Sequence, residues 1–244
     1  FKFNSLRNRL PKPGQLSLFS PAEVDVATTQ PADSVCETVI VRDQAALNAL
    51  VNTLNNAAGI AFDTETTAKD RMIAELVGIS LAVSGDTGYY IPVGHQEGQQ
   101  LPLSTVLDAI RPAMTNPAIP KYAHNAEYDL VMLQRYGVDV TPITFDTMIA
   151  EWLRHPESET LGLKKLAQRE LSVQMTEISE LIGTGKKQIT MDAVPVEQCA
   201  PYAAADAAIT FQLVDKLRPP LEQEHLLTLF EDLEMPLIPV IAAI

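Results

Sequence analysis

The chain has 244 residues, of which 46% are hydrophobic and 20% charged, a composition typical of a folded globular protein and not of a disordered or fibrous one. Its net charge of −13 argues against binding of nucleic acid through one broad basic surface. No apolar run approaches the roughly 20 residues that span a bilayer, and the first residues lack the apolar core of a secretion signal. The two cysteines give neither a disulfide framework nor a zinc site. We therefore expect a cytoplasmic protein with no membrane segment, built as one large domain with flanking segments.

Three segments follow one another along the chain. Repeated prolines and small polar residues between Pro11 and Ser34 predict a flexible linker. Strand-like and helix-like patterns then alternate from Val39 to about Leu217. The double proline after Arg218 predicts the end of a helix, and "EDLEMPLIPVIAAI" begins a further segment that the sequence does not complete.

The central segment predicts an α/β fold. The β-rich runs "GIAFDT", "LVGISLAVS" and "GYYIPV" predict an antiparallel meander of three strands. After them come a helix in "LSTVLDAIRPAM", a strand in "IPKYAHN", a helix in "AEYDLVMLQRYG" that Gly137 ends, a short strand in "PITFDT" and a helix in "MIAEWLRH". This order predicts a mixed five-stranded sheet with helices on both faces.

The first of these strands ends in two carboxylates, within "IAFDTETT". Side chains alternate between the two faces of a strand, so Asp63 and Glu65 are expected on one side of its C-terminal end, where open α/β sheets bind ligands. The pair alone is a weak signal for a metal site, because a solvated strand end followed by a turn also accounts for it. Further acids must converge on the pair to strengthen it.

Two predicted helices supply such acids. Asp129 lies four residues after Asn125 on one helical face, although an exposed Asp near a helix N-terminus is also favoured by the helix dipole. Asp206 lies four residues after Tyr202 in the almost wholly apolar stretch "PYAAADAAITFQLV". A carboxylate in such surroundings needs a cation, a donor or water to satisfy it.

Three motifs carry a resemblance to a known family. "FDTET", "HNAEYD" and "YAAAD", in this order, resemble the exonuclease motifs of the DEDD 3′-5′ exonuclease superfamily, and most closely the proofreading domain of bacterial family A DNA polymerases of the polymerase I or Klenow type. The tyrosine branch is indicated, because Pro201 stands where the histidine branch has His. The resemblance implies a ribonuclease H-like fold for residues 37–217. It also implies that 1–36 contain the end of a 5′ nuclease domain and the linker, and that 218–244 begin a polymerase domain.

Carried over position by position, the resemblance implies a role for each motif residue. It assigns four metal-binding acids, which are Asp63, Glu65, Asp129 and Asp206. Tyr202 is implied to orient the attacking water. Contacts with the terminal nucleotides are implied for Thr66, Asn125 and Tyr128. Two divalent ions, Mg²⁺ or Mn²⁺, suit such a site because they prefer carboxylate oxygens, activate water and stabilise the leaving 3′ oxygen.

The implied function is metal-dependent 3′-5′ hydrolysis that removes nucleotides from the 3′ end of single-stranded or mispaired DNA. The implied protein is a monomeric bacterial DNA polymerase I, used in replication and repair near the nucleoid, with covalently linked polymerase and 5′ nuclease domains. Two alternatives remain open. One is a catalytically weak exonuclease fold that serves as a scaffold, and the other is an RNA-trimming exonuclease of the ribonuclease D type.

Several neighbouring residues are given lesser roles. Asp146 precedes a predicted helix and is expected to be its N-cap rather than a fifth ligand. Five basic residues are expected on solvated surfaces, where some could touch backbone phosphate: Lys164, Lys165, Arg169, Lys186 and Lys187. His124 is expected to pack or to face solvent. Glu127 and Lys69 depart from the family pattern, and Glu127 is expected to weaken the grip on a phosphate chain.

Overall fold

The computed structural model describes residues 35–158 and 160–243, and the predicted linker between 11 and 34 lies outside this part of the chain. Six strands form one sheet in the order β1-β4-β3-β2-β5-β6. They are β1 (Glu37–Ile40), β2 (Ile60–Thr66), β3 (Leu76–Ala82), β4 (Thr87–Pro92), β5 (Lys121–Ala123) and β6 (Ile143–Asp146). Strands β2, β3 and β4 are antiparallel neighbours, whereas β1, β5 and β6 each run parallel to the strand beside them.

The helices alternate with the strands and then dominate the second half of the chain. They are α1 (Gln44–Asn55), α2 (Leu103–Met114), α3 (Ala126–Arg135), α4 (Thr147–Arg154), α5 (Leu163–Leu171), α6 (Ile178–Ile182), α7 (Val196–Gln223), α8 (Leu227–Leu229) and α9 (Met235–Ala242), with a π-helical turn at Phe230–Glu234. Among the described residues, none of these helices is both long and apolar enough to cross a membrane.

The α/β class and the mixed sheet are confirmed, and all five predicted strands are present. The sheet has one strand more than the sequence predicted, because β1 joins the edge of the meander beside β4. This strand is only four residues long and has no fully buried side chain. Its hydrophobic pattern is therefore too short to identify a strand.

The long helix α7 packs closely on the face of the sheet that carries the strand-end acids. Ala61 of β2 shares an apolar cluster with Ala204, Ala207 and Ala208 of α7. A Cβ atom on Gly88 of β4 would lie only 2.3 Å from the backbone oxygen of Ala204, so glycine permits this close approach. Small residues on both elements thus bring the α7 backbone near to β2.

The predicted end of α7 at Arg218 is wrong, because the helix continues through Pro219 and Pro220 to Gln223. Each proline removes one backbone donor, but Leu221 is fully buried, so packing holds the last turn. The chain beyond the helix stays on the same core, where the rings of Phe145 and Phe230 lie 4.8 Å apart. Whether residues 218–244 belong to another domain stays a prediction.

Candidate active site

Strand β2 fixes the first two acids of the candidate site. Asp63 pairs with Ser80 and Glu65 with Gly78 on the neighbouring strand, and a register shift follows between Glu65 and Thr66. Because side chains alternate along a strand, Asp63 and Glu65 share the face on which Ala61 meets α7. Glu65 is 7% exposed, so the strand end is largely buried and the solvated-turn explanation for this pair is wrong.

Helix α7 brings Asp206 to the same place. Asp63, Glu65 and Asp206 each offer a carboxylate oxygen, and these oxygens lie within 4.8 Å of one another. Asp206 is buried, and its neighbours on the helix are the alanines that pack on the sheet. The structure therefore assembles three of the four predicted acids, from a strand and from a helix that begins 130 residues after that strand ends.

Asp129 stands beside this cluster and is held separately. It lies in the first turn of α3, is buried, and accepts hydrogen bonds at Oδ1 from the backbone N–H (3.0 Å) and the hydroxyl (2.5 Å) of Thr64. The role of Thr64 was missed in the sequence. This residue lies between the two strand acids and points to the other face of β2, so nothing in the motif indicates its contact with a helix 65 residues further on.

Tyr202 and Lys164 complete the surroundings of Asp206. Tyr202 lies one turn before Asp206 on α7, as the sequence predicted. Lys164, in the first turn of α5, forms an ion pair with Asp206 and places its ammonium nitrogen 4.1 Å from the centroid of the Tyr202 ring. The expectation of a solvated Lys164 is wrong, because only 16% of its side chain is exposed.

A groove of about 780 Å³ adjoins the carboxylates and contains two of the three predicted nucleotide contacts. Thr66 and Tyr128 line it, with 2.6 Å between their hydroxyl oxygens, and Tyr128 also donates to the backbone oxygen of Ala68 at 2.7 Å. Asn125 is exposed at the start of α3 with a left-handed φ of 68°, and its side chain does not cap the helix. Lys69 lines the groove as well.

Asp146 caps two helices instead of one. Its carboxylate accepts hydrogen bonds from Met148 and Ile149 at the start of α4, as predicted for an N-cap. It also accepts from the backbone N–H groups of Asn125 and Ala126 at the start of α3. Asp146 is therefore a structural residue that sets the start of the helix that carries Asp129.

Two further neighbours have local partners. Glu127, which departs from the family pattern, forms an ion pair with Arg71, so its charge is compensated within the protein. His124 packs with its Nδ1 2.8 Å from the Thr147 hydroxyl. Its pKa is lowered to about 4, chiefly by burial and also by Lys164.

The donor set fits a hard divalent cation. All the candidate ligands are carboxylates, three of their oxygens converge, and one lysine only partly offsets their charge.

A family model described as 3′-5′ exonuclease matches residues 38–222. The chain belongs to the 3′-5′ exonuclease family of family A DNA polymerases.

Similar proteins agree with this family. This exonuclease domain is 45% identical over 235 residues to DNA polymerase I of Chloroflexus aurantiacus, which is 94% of this chain and 24% of that protein. It is 34% identical over 211 residues to DNA polymerase I of Pseudomonas aeruginosa, which is 84% of this chain and 23% of that protein. The chain thus spans about a quarter of the length of these relatives.

A solved structure shows the same fold at lower identity. Brucella melitensis NrnC with bound Mg²⁺ superposes on this exonuclease domain with a TM-score of 0.60 at 20% identity, over 77% of this chain and 85% of that one. The superposition shows that the two proteins share this α/β fold.

Burial makes the acids of this exonuclease domain hard to ionise, and repulsion from the other site acids adds to it for Asp63 and Glu65. Burial, then Asp129, Glu65 and Asp206, hold the pKa of Asp63 well above its usual range. Burial and Asp206 raise the pKa of Glu65 to about 8. Burial raises the pKa of Asp129 to about 7, although the Thr64 hydrogen bonds oppose the shift. Asp206 also has a raised pKa because of burial, in spite of Lys164.

These shifts predict that the metal-free domain loses stability as the pH rises. A carboxyl group with a raised pKa holds its proton more tightly in the folded state than in the unfolded state. Its contribution to stability is therefore present at low pH and is lost as the pH rises from the unfolded pKa to the folded pKa. For Glu65 these two values are 4.5 and about 8. The free energy of unfolding should fall by up to about 1.4 kcal/mol per pH unit for each titrating carboxyl.

The measurement is the melting temperature in EDTA from about pH 6.5 to about 8. The lower limit lies above the lowered pKa values of His95 and His124. The upper limit avoids Lys121, whose pKa burial lowers to about 8, so that it would add stability at higher pH.

Saturating Mg²⁺ is the control for this titration, because a bound cation favours the ionised carboxylates and should flatten the profile. A melting temperature that rises with pH in EDTA over this range would contradict the electrostatic description of the site.

Proposed function

We propose that the domain is a metal-dependent exonuclease that removes nucleotides from the 3′ end of single-stranded or mispaired DNA. The observation that carries this proposal is the convergence of Asp63, Glu65 and Asp206 within 4.8 Å in a chain of the 3′-5′ exonuclease family. Two buried acids, Glu65 and Asp206, and the partly buried Asp63 meet at one point, which is unfavourable without a cation. A divalent cation at this point would also suit phosphodiester hydrolysis, because phosphate oxygens and the leaving 3′ oxygen carry negative charge that it can stabilise.

Asp63, Glu65 and Asp206 would hold divalent ions, Mg²⁺ or Mn²⁺, with Asp129 at the edge of the site. When bound, two such ions supply an activated water and charge stabilisation for the leaving oxygen. The Brucella melitensis NrnC structure has bound Mg²⁺, which supports this choice of ion. Among the described residues, the atoms that converge here are all carboxylate oxygens, which suit a hard cation better than zinc.

The remaining site residues would position substrate and water. The ring of Tyr202 packs under the ammonium of Lys164, and its hydroxyl has a strongly raised pKa because of burial and the adjacent Asp206, so it stays protonated. A protonated hydroxyl can donate to a water or accept its proton in a hydrogen bond, which orients that water towards phosphorus. Thr66 and Tyr128 in the groove, and the exposed Asn125 beside it, would contact the last nucleotides.

The wider protein is also part of the proposal. Both relatives are DNA polymerases I and are about four times longer than this chain. By analogy, residues 37–217 would be the proofreading domain. A 5′ nuclease domain would end within 1–36, and a polymerase domain would begin within 218–244. A monomer in the bacterial cytoplasm, at the nucleoid, is proposed. The two cysteines are free, which fits that reducing setting. The acidic domain alone would bind DNA weakly and in a salt-sensitive way.

One experiment separates this function from its alternatives. The chain is incubated with Mg²⁺ or Mn²⁺ and with single-stranded DNA or RNA of the same sequence, labelled at the 5′ end. Stepwise shortening of the DNA from its 3′ end is the expected result. Shortening of RNA alone would favour a ribonuclease D type of activity, and no shortening of either would favour a scaffold.

A further inference from the structure

Lys164 occupies a position that its sequence pattern does not indicate. Its ammonium makes an ion pair with Asp206 Oδ1 and lies 4.1 Å from the centroid of the Tyr202 ring. Its neighbour Lys165, on the same turn of α5, is exposed. The fold therefore selects one lysine of this pair and buries most of its side chain at the carboxylate cluster.

Asp206 is where the lysine and a divalent ion would meet. The same carboxylate pairs with Lys164 and converges with Asp63 and Glu65. Lys164 offsets one unit of the negative charge concentrated there. A divalent ion that binds the cluster meets the ammonium as a like charge in a poorly solvated place, where repulsion is weakly screened.

We propose that Lys164 is a tethered counter-cation of the carboxylate cluster, which a divalent ion must displace from Asp206 in order to bind. This inference rests on the metal-dependent function proposed above. The four-carbon stem of lysine is flexible, so the ammonium can leave without a shift of α5. The face of the Tyr202 ring attracts the ammonium by a cation–π interaction and can keep it close after it leaves the carboxylate.

Two consequences follow for the chain. Without a divalent ion, Lys164 reduces the repulsion among the acids and so helps to hold α5 and α7 together. With the ion, the same lysine opposes binding, so the affinity of the site is lower than four carboxylates alone would give. Lys164 thus acts on the metal through Asp206, as a positioning residue.

The test is calorimetric titration of the whole chain with Mn²⁺, for the unmutated protein and for Lys164→Met. We expect Lys164→Met to bind Mn²⁺ about tenfold more tightly, since competition for one carboxylate is a coupling between two cations. Lys165→Met removes the same charge from the exposed neighbour and should bind as the unmutated chain does. Lys164→Arg keeps the charge and should not bind more tightly.

Equal or weaker Mn²⁺ binding by Lys164→Met would overturn the proposal. If the unmutated chain binds Mn²⁺ and the variant gains nothing, only the role of Lys164 fails. If neither binds Mn²⁺, the proposed metal dependence fails as well.

A second measurement uses the unmutated chain and does not depend on the folding of a variant. Lysine acetylation by a water-soluble reagent is followed by mass spectrometry in EDTA and in Mg²⁺. Labelling of Lys164 should increase in Mg²⁺, because the ion pair that protects it is lost, whereas Lys165 should be labelled equally in both. Unchanged or lower labelling of Lys164 in Mg²⁺ would contradict displacement.

Discussion

Replacement of Asp63 and Glu65 together by alanine is expected to lower single-turnover cleavage of DNA by about a thousandfold or more, which corresponds to several kcal/mol of lost transition-state stabilisation. These two carboxylates come from one strand end and supply two of the three converging oxygens. Without them, Asp206 is the one carboxylate left in the cluster, so several carboxylates can no longer bind a divalent ion together at that point. The measurement is quenched-flow cleavage of a labelled single strand at saturating enzyme.

The same variant is expected to fold, and in EDTA to melt no lower than the unmutated chain. Burial and mutual repulsion raise the pKa of both acids, so their ionised forms destabilise the metal-free fold. Removal of a catalytic pair of this kind should therefore lower activity without lowering stability, whereas removal of a structural pair should lower stability.

A matched control removes one Asp and one Glu from exposed positions, as Asp108→Ala with Glu97→Ala. This control changes the net charge equally and should leave cleavage within about twofold, because single exposed surface charges have small effects. Loss of cleavage in the control, or full cleavage by the site variant, would refute the assignment of the two acids.

Asp146→Ala is expected to have the largest effect on stability, about 3 kcal/mol or more. The carboxylate is 1% exposed and accepts four backbone N–H groups at the starts of α3 and α4. Alanine would leave these donors buried without an acceptor. It would also release the backbone at Asn125, whose φ of 68° is an uncommon conformation for a residue other than glycine.

The activity of this variant should fall too, because α3 carries Asp129 in its first turn and a small displacement of a positioned group can lower the rate by about a hundredfold. Urea denaturation measures the stability. The control is Asp43→Ala, which removes an exposed N-cap with a single bond of 2.9 Å to Ala46 at the start of α1 and should lose only about 1 kcal/mol. Equal losses for the two variants would show that Asp146 does not serve both helices.

The motifs of the sequence predicted the positions of the three converging acids because each obeys a short-range rule. Strand alternation puts Asp63 and Glu65 on one face, and an acid among alanines needs a partner, as Asp206 does. The contacts of Thr64 and Lys164 follow no such rule. Both contacts depend on how a helix packs onto another element. The spacing of residues along the sequence does not show which distant elements pack together.

The errors in the fold have the same origin. Strand β1 is too short for a hydrophobic period and forms because β4 offers it an edge. Helix α7 passes two prolines because tertiary packing of Leu221 outweighs the lost hydrogen bonds. Asp146 was identified as a cap from its place before a helix, but its second helix could only be found in the structure.

The most direct test of the central claim is crystallographic. Crystals of the chain are soaked in Mn²⁺, and anomalous scattering from manganese is measured near its absorption edge, with the Asp63→Ala, Glu65→Ala variant as the control. We predict anomalous peaks bounded by the carboxylates of Asp63, Glu65 and Asp206 in the unmutated chain, and their loss in the variant. Well-ordered carboxylates with no peak between them, or peaks that persist in the variant, would contradict the proposal that these acids hold the ions.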